Sequence, residues 1–234
     1  MSTLLDVQNM TICFPTERGN IYAPKEFSLT LRSGEILGLA GDSGCGKSAF
    51  ASALLGILER PGRAVSGAAL FTGQDGSGVD LLRITEQEFQ SLRGGEIGMI
   101  FQDPVASLHP SRRIRAQFRE TLRARGLGAK GSDGRNRMRE ALQRMMFADP
   151  DKILRSYPFE LSGGMCQRVA IAFSLALNPR LLIADEPTTA LDVKNQAQVL
   201  RLLRDMRDQT GMSVILISHD IAVVSAAADR IMQM

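Results

Sequence analysis

The chain has 234 residues, 44% of them hydrophobic and 23% charged, enough apolar material for one large domain or two small ones. A net charge of +3, no Trp and 5% aromatic residues argue against a nucleic-acid partner, because neither a strong basic field nor stacking platforms are supplied. Cys13, Cys45 and Cys166 stand far apart without CxxC spacing, which predicts reduced thiols in the cytoplasm; no run approaches the ~18–20 apolar residues of a membrane span, and MSTLLDVQNM lacks the pattern of a signal peptide.

Residues 4–14 (LLDVQNMTICF) alternate in part and predict a strand. A loop rich in Pro, Gly and charge follows (PTERGNIYAPK), then a second strand and turn in FSLTLRSGE. ILGLAG is a short unbroken apolar run entering a glycine cluster, the mark of a buried strand, and from Lys47 to Leu58 the pattern turns helical. ALFTGQDGSGVDLL reads as short strands and turns, and EIGMIFQ as another buried strand. Residues 112–155 are helix-like, with thirteen Lys/Arg against five Asp/Glu, and are interrupted by the loop GLGAKGSDG. That segment is most simply a solvated face, its functional reading being contact with lipid headgroups. Beyond it, VAIAFSLAL reads as a helix, LLIAD and SVILIS as buried strands, and AQVLRLLRDMRDQTG as the helix between those strands. Strands alternating with helices predict an α/β fold whose parallel sheet is covered on both faces.

Residues 41–48 (Gly41, Asp42, Ser43, Gly44, Cys45, Gly46, Lys47, Ser48) fit GxxxxGK[ST] in full, after a buried strand and before a helix. Glycines let the backbone wrap closely around phosphates, the helix N-terminus favours anions, Lys47 is placed to reach the β/γ-phosphates and the Ser48 hydroxyl to ligate Mg²⁺. The strand Leu181–Ala184 ends in Asp185 and Glu186: the first is a candidate Mg²⁺ ligand, the second a candidate for polarising the attacking water. Ser162, Gly163 and Gly164 open a helix with a hydroxyl and free N–H groups, a second phosphate-binding device. One nucleotide does not need two such devices from one chain, so this one is expected to complete a site on another subunit. His219 follows the strand SVILIS and is a candidate for contacting the γ-phosphate and positioning Glu186 or the water.

Together these residues resemble the nucleotide-binding subunit of ABC transporters, over nearly the whole chain and in the family's order. The resemblance implies ATP and Mg²⁺ as cofactors and a P-loop NTPase core (1–103 and 170–234) with an inserted α-helical subdomain (104–169). It implies that Phe14 stacks on adenine, with Tyr22 as runner-up, and that Gln102 senses Mg²⁺ and the transmembrane partner. Leu161–Met165 match the signature motif, Ala190-Leu191-Asp192 the D-loop and His219 the switch histidine. Lys47, Gln102, Glu186 and His219 form the implied catalytic set, Ser48, Gln102 and Asp185 the metal set, and Asp192 joins the nucleotide-binding set. FQDPVASLHP, YPFELSGGMCQR and ADEPTTALDV are similar to ATPase subunits of dipeptide, oligopeptide and nickel importers, YPFELSGGM leaning towards nickel. His109 departs from the Asn usual there. Cys45 lies in the phosphate loop, where amide dipoles favour a thiolate. The implied partners are a second, different ATPase subunit, two transmembrane permease subunits and a periplasmic or surface substrate-binding protein, with the chain peripheral on the cytoplasmic face of the inner membrane. The competing expectation is a non-transport ABC ATPase acting as a clamp on nucleic acid or ribosomes, against which stand the single cassette and the lack of heptads.

Overall fold

The computed structural model describes residues 2–74, 76–127, 132–189 and 191–234. Ala190 of the expected D-loop and residues 128–131 of the expected loop GLGAKGSDG lie outside the described residues. The strands are β1 (Thr3–Thr16), β2 (Gly19–Tyr22), β3 (Phe27–Arg32), β4 (Ile36–Ala40), β5 (Arg63–Thr72), β6 (Gly78–Asp80), β7 (Ile97–Ile100), β8 (Leu181–Asp185), β9 (Ser213–Ser218) and β10 (Arg230–Gln233). The helices are α1 (Lys47–Leu54), α2 (Glu86–Leu92), α3 (Ile114–Ala124), α4 (Ser132–Arg144), α5 (Pro150–Arg155), α6 (Gly163–Ala176), α7 (Val193–Thr210) and α8 (Ile221–Ala227).

Strands β10, β4, β9, β8 and β7 form, in that order, a parallel sheet. Every residue of β4, β8 and β9 is buried, as expected of unbroken apolar runs with both faces covered. Ile36, Leu182, Val214 and Leu216 face a core shared with α3, α4, α6, α7 and α8. Leu37, Leu39, Ile183 and Ile217 face the other core, which is closed by α1 and by a second sheet. That sheet is antiparallel, with β1 bonded to β2, β3 and β5, and β5 to β6. The doubly covered parallel sheet thus has a helical cover on one side and a mostly β cover on the other. Pairs such as Leu5↔Phe71 bring β1 and β5 together across a long stretch of chain, which a local pattern does not reveal.

Helix α1 ends at Leu54, short of Leu58, because Gly56 turns the chain at φ +62 against the Phe89 ring, where a Cβ would lie 2.3 Å from a ring carbon. Gly38 holds α8 against β4 in the same manner: a Cβ there would lie 2.0 Å from Val224 Cγ1.

The helical segment packs Ile114, Phe118 and Leu122 of α3 against Met138 and Leu142 of α4 and Ile153 of α5. The boundary expected between residues 169 and 170 falls inside α6, which runs unbroken. Its first half meets the helical layer, where the Arg168 guanidinium lies 4.4 Å from the Phe147 ring centroid. Its second half meets the sheet, where Ser174 Oγ donates to Met99 O at 2.9 Å. One hydrophobic cluster runs through both halves, so no seam divides them.

Candidate nucleotide site

Strand β4 delivers the chain into the loop Gly41–Ser48. Gly44 and Gly46 have φ +88 and +110, open to glycine and strained for other residues. A Cβ on Gly46 would also lie 2.6 Å from the carbonyl carbon of Ala23. The loop is therefore seated on the Ala23–Pro24 backbone, itself tied to β1 by Ile12 N donating to Pro24 O and Ala23 N to Ile12 O, each at 3.0 Å. No side chain caps the N-terminus of α1, so its first-turn N–H groups are free to face an anion. Lys47 is buried, and its Nζ donates to Gly41 O and Asp42 O at 2.8 Å each while lying 3.7 Å from Cys45 Sγ. The ammonium is thus folded over the loop. Asp42, Ser43 and Gly44 are exposed.

Across the sheet, β8 and β9 are in parallel register with Asp185 opposite Ile217. Glu186 continues this pairing by donating its N–H to Ile217 O at 3.0 Å, then turns the chain with φ +47. Its side chain is held at both oxygens: His219 Nδ1 lies 2.6 Å from Oε1, and Thr189 Oγ1 donates to Oε2 at 2.7 Å. Burial raises the pKa of Glu186, but the hydrogen bonds from His219 and Thr189 and the charges of His219 and Lys47 outweigh it and hold the group below its ordinary value. A carboxylate kept ionised beside a half-exposed imidazole is chemically suited to orient water and accept a proton. Thr189 was not singled out from the sequence; its place three residues after Glu186, at the turn that closes the strand end, is the signal that could have found it.

Asp185 is buried and its Oδ1 has no hydrogen-bond partner. Burial pushes its pKa up, hydrogen bonding from Ser48 and the Lys47 charge pull it down, and Glu186 adds to the rise. A desolvated carboxylate with an unpaired oxygen next to a hydroxyl is a hard-oxygen donor set, and it fits Mg²⁺. Among the described residues no group of three or more His, Cys, Asp or Glu could hold a metal, so Ser48 and Asp185 would be joined by phosphate oxygens and water, as Mg²⁺ commonly is. Gln102 lies two residues past β7, whose Ile100 is opposite Ala184; the sheet brings its backbone towards this edge, while its exposed side chain makes no hydrogen bond to Asp185.

Among the described residues no hydrogen bond joins the remaining candidates to this constellation. Ser162 caps α6, its Oγ accepting from Met165 N at 3.3 Å, and Gly163 is exposed with open space around its Cβ position. Among the described residues no hydrogen bond joins Ser162, Gly163 or Gly164 to the Gly41–Ser48 loop. Asp192 caps α7, accepting from Asn195 N at 2.9 Å and Asn195 Nδ2 at 2.6 Å, and these bonds lower its pKa. Its charge also acts on Arg168 of α6. The Phe14 ring covers Gly62 and packs on the edge of the core between the sheets, beside the strand that carries Tyr22. All three cysteines are free.

An ABC transporter family model matches residues 24–189. The chain is 42% identical over 231 residues to the dipeptide transport ATP-binding protein DppD of Escherichia coli (strain K12), covering 99% of this chain and 69% of that one. It is 41% identical over 235 residues to the oligopeptide transport ATP-binding protein OppD of Salmonella typhimurium, covering 100% and 68%. Among solved structures, a dimeric ATP-binding cassette in a post-hydrolysis state, bound to ADP and Pi, is similar with a TM-score of 0.84 and 28% identity, covering 99% of this chain and 94% of that one. A strand-delivered glycine loop, a buried acid beside its serine and a clamped second acid, in a chain so related, lead to one conclusion: this protein belongs to the ABC transporter family and is one of its ATP-binding, ATP-hydrolysing subunits.

Proposed function

We propose that Glu186 positions the attacking water and that His219 and Thr189 keep its carboxylate ionised and aimed. The double clamp on Glu186, at a strand end shared with Asp185, is the observation that carries this reading. Lys47 leaves the loop carbonyls for the β/γ-phosphates, and Gly41, Asp42, Ser43, Gly44, Cys45, Gly46 and Ser48 wrap the phosphate chain with backbone N–H groups. Ser48 and Asp185, with Gln102, would hold Mg²⁺, which would supply positive charge to the phosphate oxygens. Phe14 offers a face to adenine. Ser162, Gly163 and Gly164 serve the nucleotide of a second ATPase subunit, with Asp192 at the junction, so that closing the pair excludes water from both sites. Glu186→Gln is expected to lower ATP turnover by about 100-fold or more while retaining bound ATP. Turnover at the normal rate in that variant would remove Glu186 from the role.

The transported cargo is proposed to be di- or oligopeptides, on the support of the relatives named for dipeptide and oligopeptide transport. The nickel reading rests on the YPFELSGGM run alone, and the clamp reading gains no support from these relatives. Among the described residues no helix is long and apolar enough to cross a membrane, so the spanning is assigned to two permease subunits, fed by a substrate-binding protein. A groove of about 290 Å³ lined by Ile57, Met99, Phe101, Leu108, Phe173 and Leu177 is mostly apolar and suits a cytoplasmic helix of a permease. The proposal puts the chain on the cytoplasmic face of the inner membrane, as one half of a pair with a related but different ATPase. Uptake of labelled dipeptide and of labelled nickel, in cells carrying the wild-type chain or Glu186→Gln, tests the cargo: peptide uptake should be lost in the variant and nickel uptake unchanged.

A further inference from the structure

Seven arginines among the described residues (Arg83, Arg93, Arg112, Arg139, Arg180, Arg207 and Arg230) have a carboxylate within ion-pair distance. Arg115 of α3, Arg135 of α4 and Arg155 of α5 have none, and no hydrogen bond to the described residues engages their side chains. Yet these three, from three helices, converge on one concavity of about 120 Å³, floored by Leu154. Among the described residues the single carboxylate lining it, Asp151, is already bonded to Arg139. Like charges brought together without a counter-ion repel, and solvent screening only weakens that repulsion.

Local electrostatics add a second oddity on α3, where Arg115 lies in the first turn, a place at which a cation opposes the helix dipole and an anion is favoured, whereas α4 already carries Asp133 in its first turn. Helix α3 has no acidic residue in its first turn. An oxyanion in the concavity would relieve the mutual repulsion of the three guanidinium groups and the unfavourable placement of Arg115. The guanidinium fork matches phosphate oxygens in bidentate geometry, and the concavity has room for a tetrahedral oxyanion. Arg119 and Arg123 continue from Arg115 at four-residue spacing, extending the positive face along α3 towards solvent.

We propose that Arg115, Arg135 and Arg155 form a binding site for a phosphate-bearing anion on the helical segment, on elements that carry no residue of the Gly41–Ser48 loop. The shared chemistry is the phosphate oxyanion, and a lipid headgroup and a soluble phosphate are its two sources. The site is independent of the cargo and of the roles assigned to Glu186 and His219.

The test uses the full chain with a non-hydrolysable ATP analogue and Mg²⁺, so that the nucleotide loop is filled. Calorimetric titration with inorganic phosphate should show binding that weakens about tenfold or more in the triple variant Arg115→Gln/Arg135→Gln/Arg155→Gln, as expected when charge-assisted contacts are removed. The double variant Arg119→Gln/Arg123→Gln, which removes neighbouring charge outside the concavity, should bind as the wild type does. Cosedimentation with phosphatidylglycerol and phosphatidylcholine vesicles separates the sources. A phosphatidylglycerol preference that excess inorganic phosphate abolishes, and that the triple variant lacks, supports the site with a headgroup as ligand. Phosphate binding without that preference supports it with a soluble ligand. No phosphate binding by the wild-type chain, or equal losses in the triple and double variants, overturns the proposal.

Discussion

Asp185 and Glu186 are sequence neighbours with opposite electrostatics. Asp185 is buried with one oxygen unpaired and its pKa raised, whereas Glu186 is clamped by two donors and its pKa lowered. The signs separate their contributions to folding. A raised acid destabilises the fold once pH exceeds its unfolded value of about 3.9, so Asp185→Asn should stabilise the nucleotide-free chain at neutral pH while abolishing Mg²⁺-dependent turnover; a higher melting temperature and an ATPase assay check the two halves. A lowered acid contributes stability above its unfolded value of about 4.3, lost as pH falls through the folded value. His219→Ala removes the hydrogen bond that does most to lower Glu186, leaving burial less opposed. The acid limb of the ATPase pH profile should therefore move to higher pH in that variant, and by less in Thr189→Val. An unmoved limb would show that Glu186 does not control it.

At the scale of elements, local chemistry decides where helices and strands stop. Gly38→Ala drives a methyl into Val224 and should cost about 1–3 kcal/mol in urea unfolding, an overpacking penalty rather than a loss of function at the loop. Thr85→Ala removes the half of the capping box that starts α2 in which Thr85 Oγ1 accepts from Glu88 N at 3.4 Å, and should cost about 1 kcal/mol. That box is legible as T-x-x-E at residues 85–88, yet the sequence reading assigns no helix there, because a single buried residue, Phe89, gives no periodicity. The buried strands β4, β8 and β9 were legible because they are apolar without interruption, and the loop Gly41–Ser48 because its spacing is rigid. The antiparallel sheet was not: β5 is largely exposed or half-buried and its partner lies far back in the chain. The Glu186–His219 contact was expected from chain order, but Thr189 and the folded-over Lys47 depend on distances that composition does not carry.

For the whole molecule, the lack, among the described residues, of any hydrogen bond between Ser162–Gly164 and the loop at Gly41–Ser48 makes a two-subunit expectation testable. With its proposed ATPase partner present, Ser162→Ala in this chain should depress turnover at the partner's nucleotide and leave this chain's own ATP affinity unchanged. Combining it with Lys47→Ala distinguishes the sites, since only the latter empties the loop on this chain. If Ser162→Ala instead weakens ATP binding by the isolated chain, the two devices serve one nucleotide and the pairing is wrong. Both core clusters meet on the parallel sheet, so a change at either nucleotide-facing edge has a stiff body to push against.

The pairing of Asp185 with Ile217, extended by the Glu186 amide on Ile217 O, has a consequence for inheritance. The spacing between acid and imidazole is fixed by ladder rungs, not by the turns that follow them. A one-residue insertion within β8 or β9 would therefore part Glu186 from His219 and flip the neighbouring side chains to the opposite face, while the turn after β8 must still carry Thr189 to Glu186 Oε2.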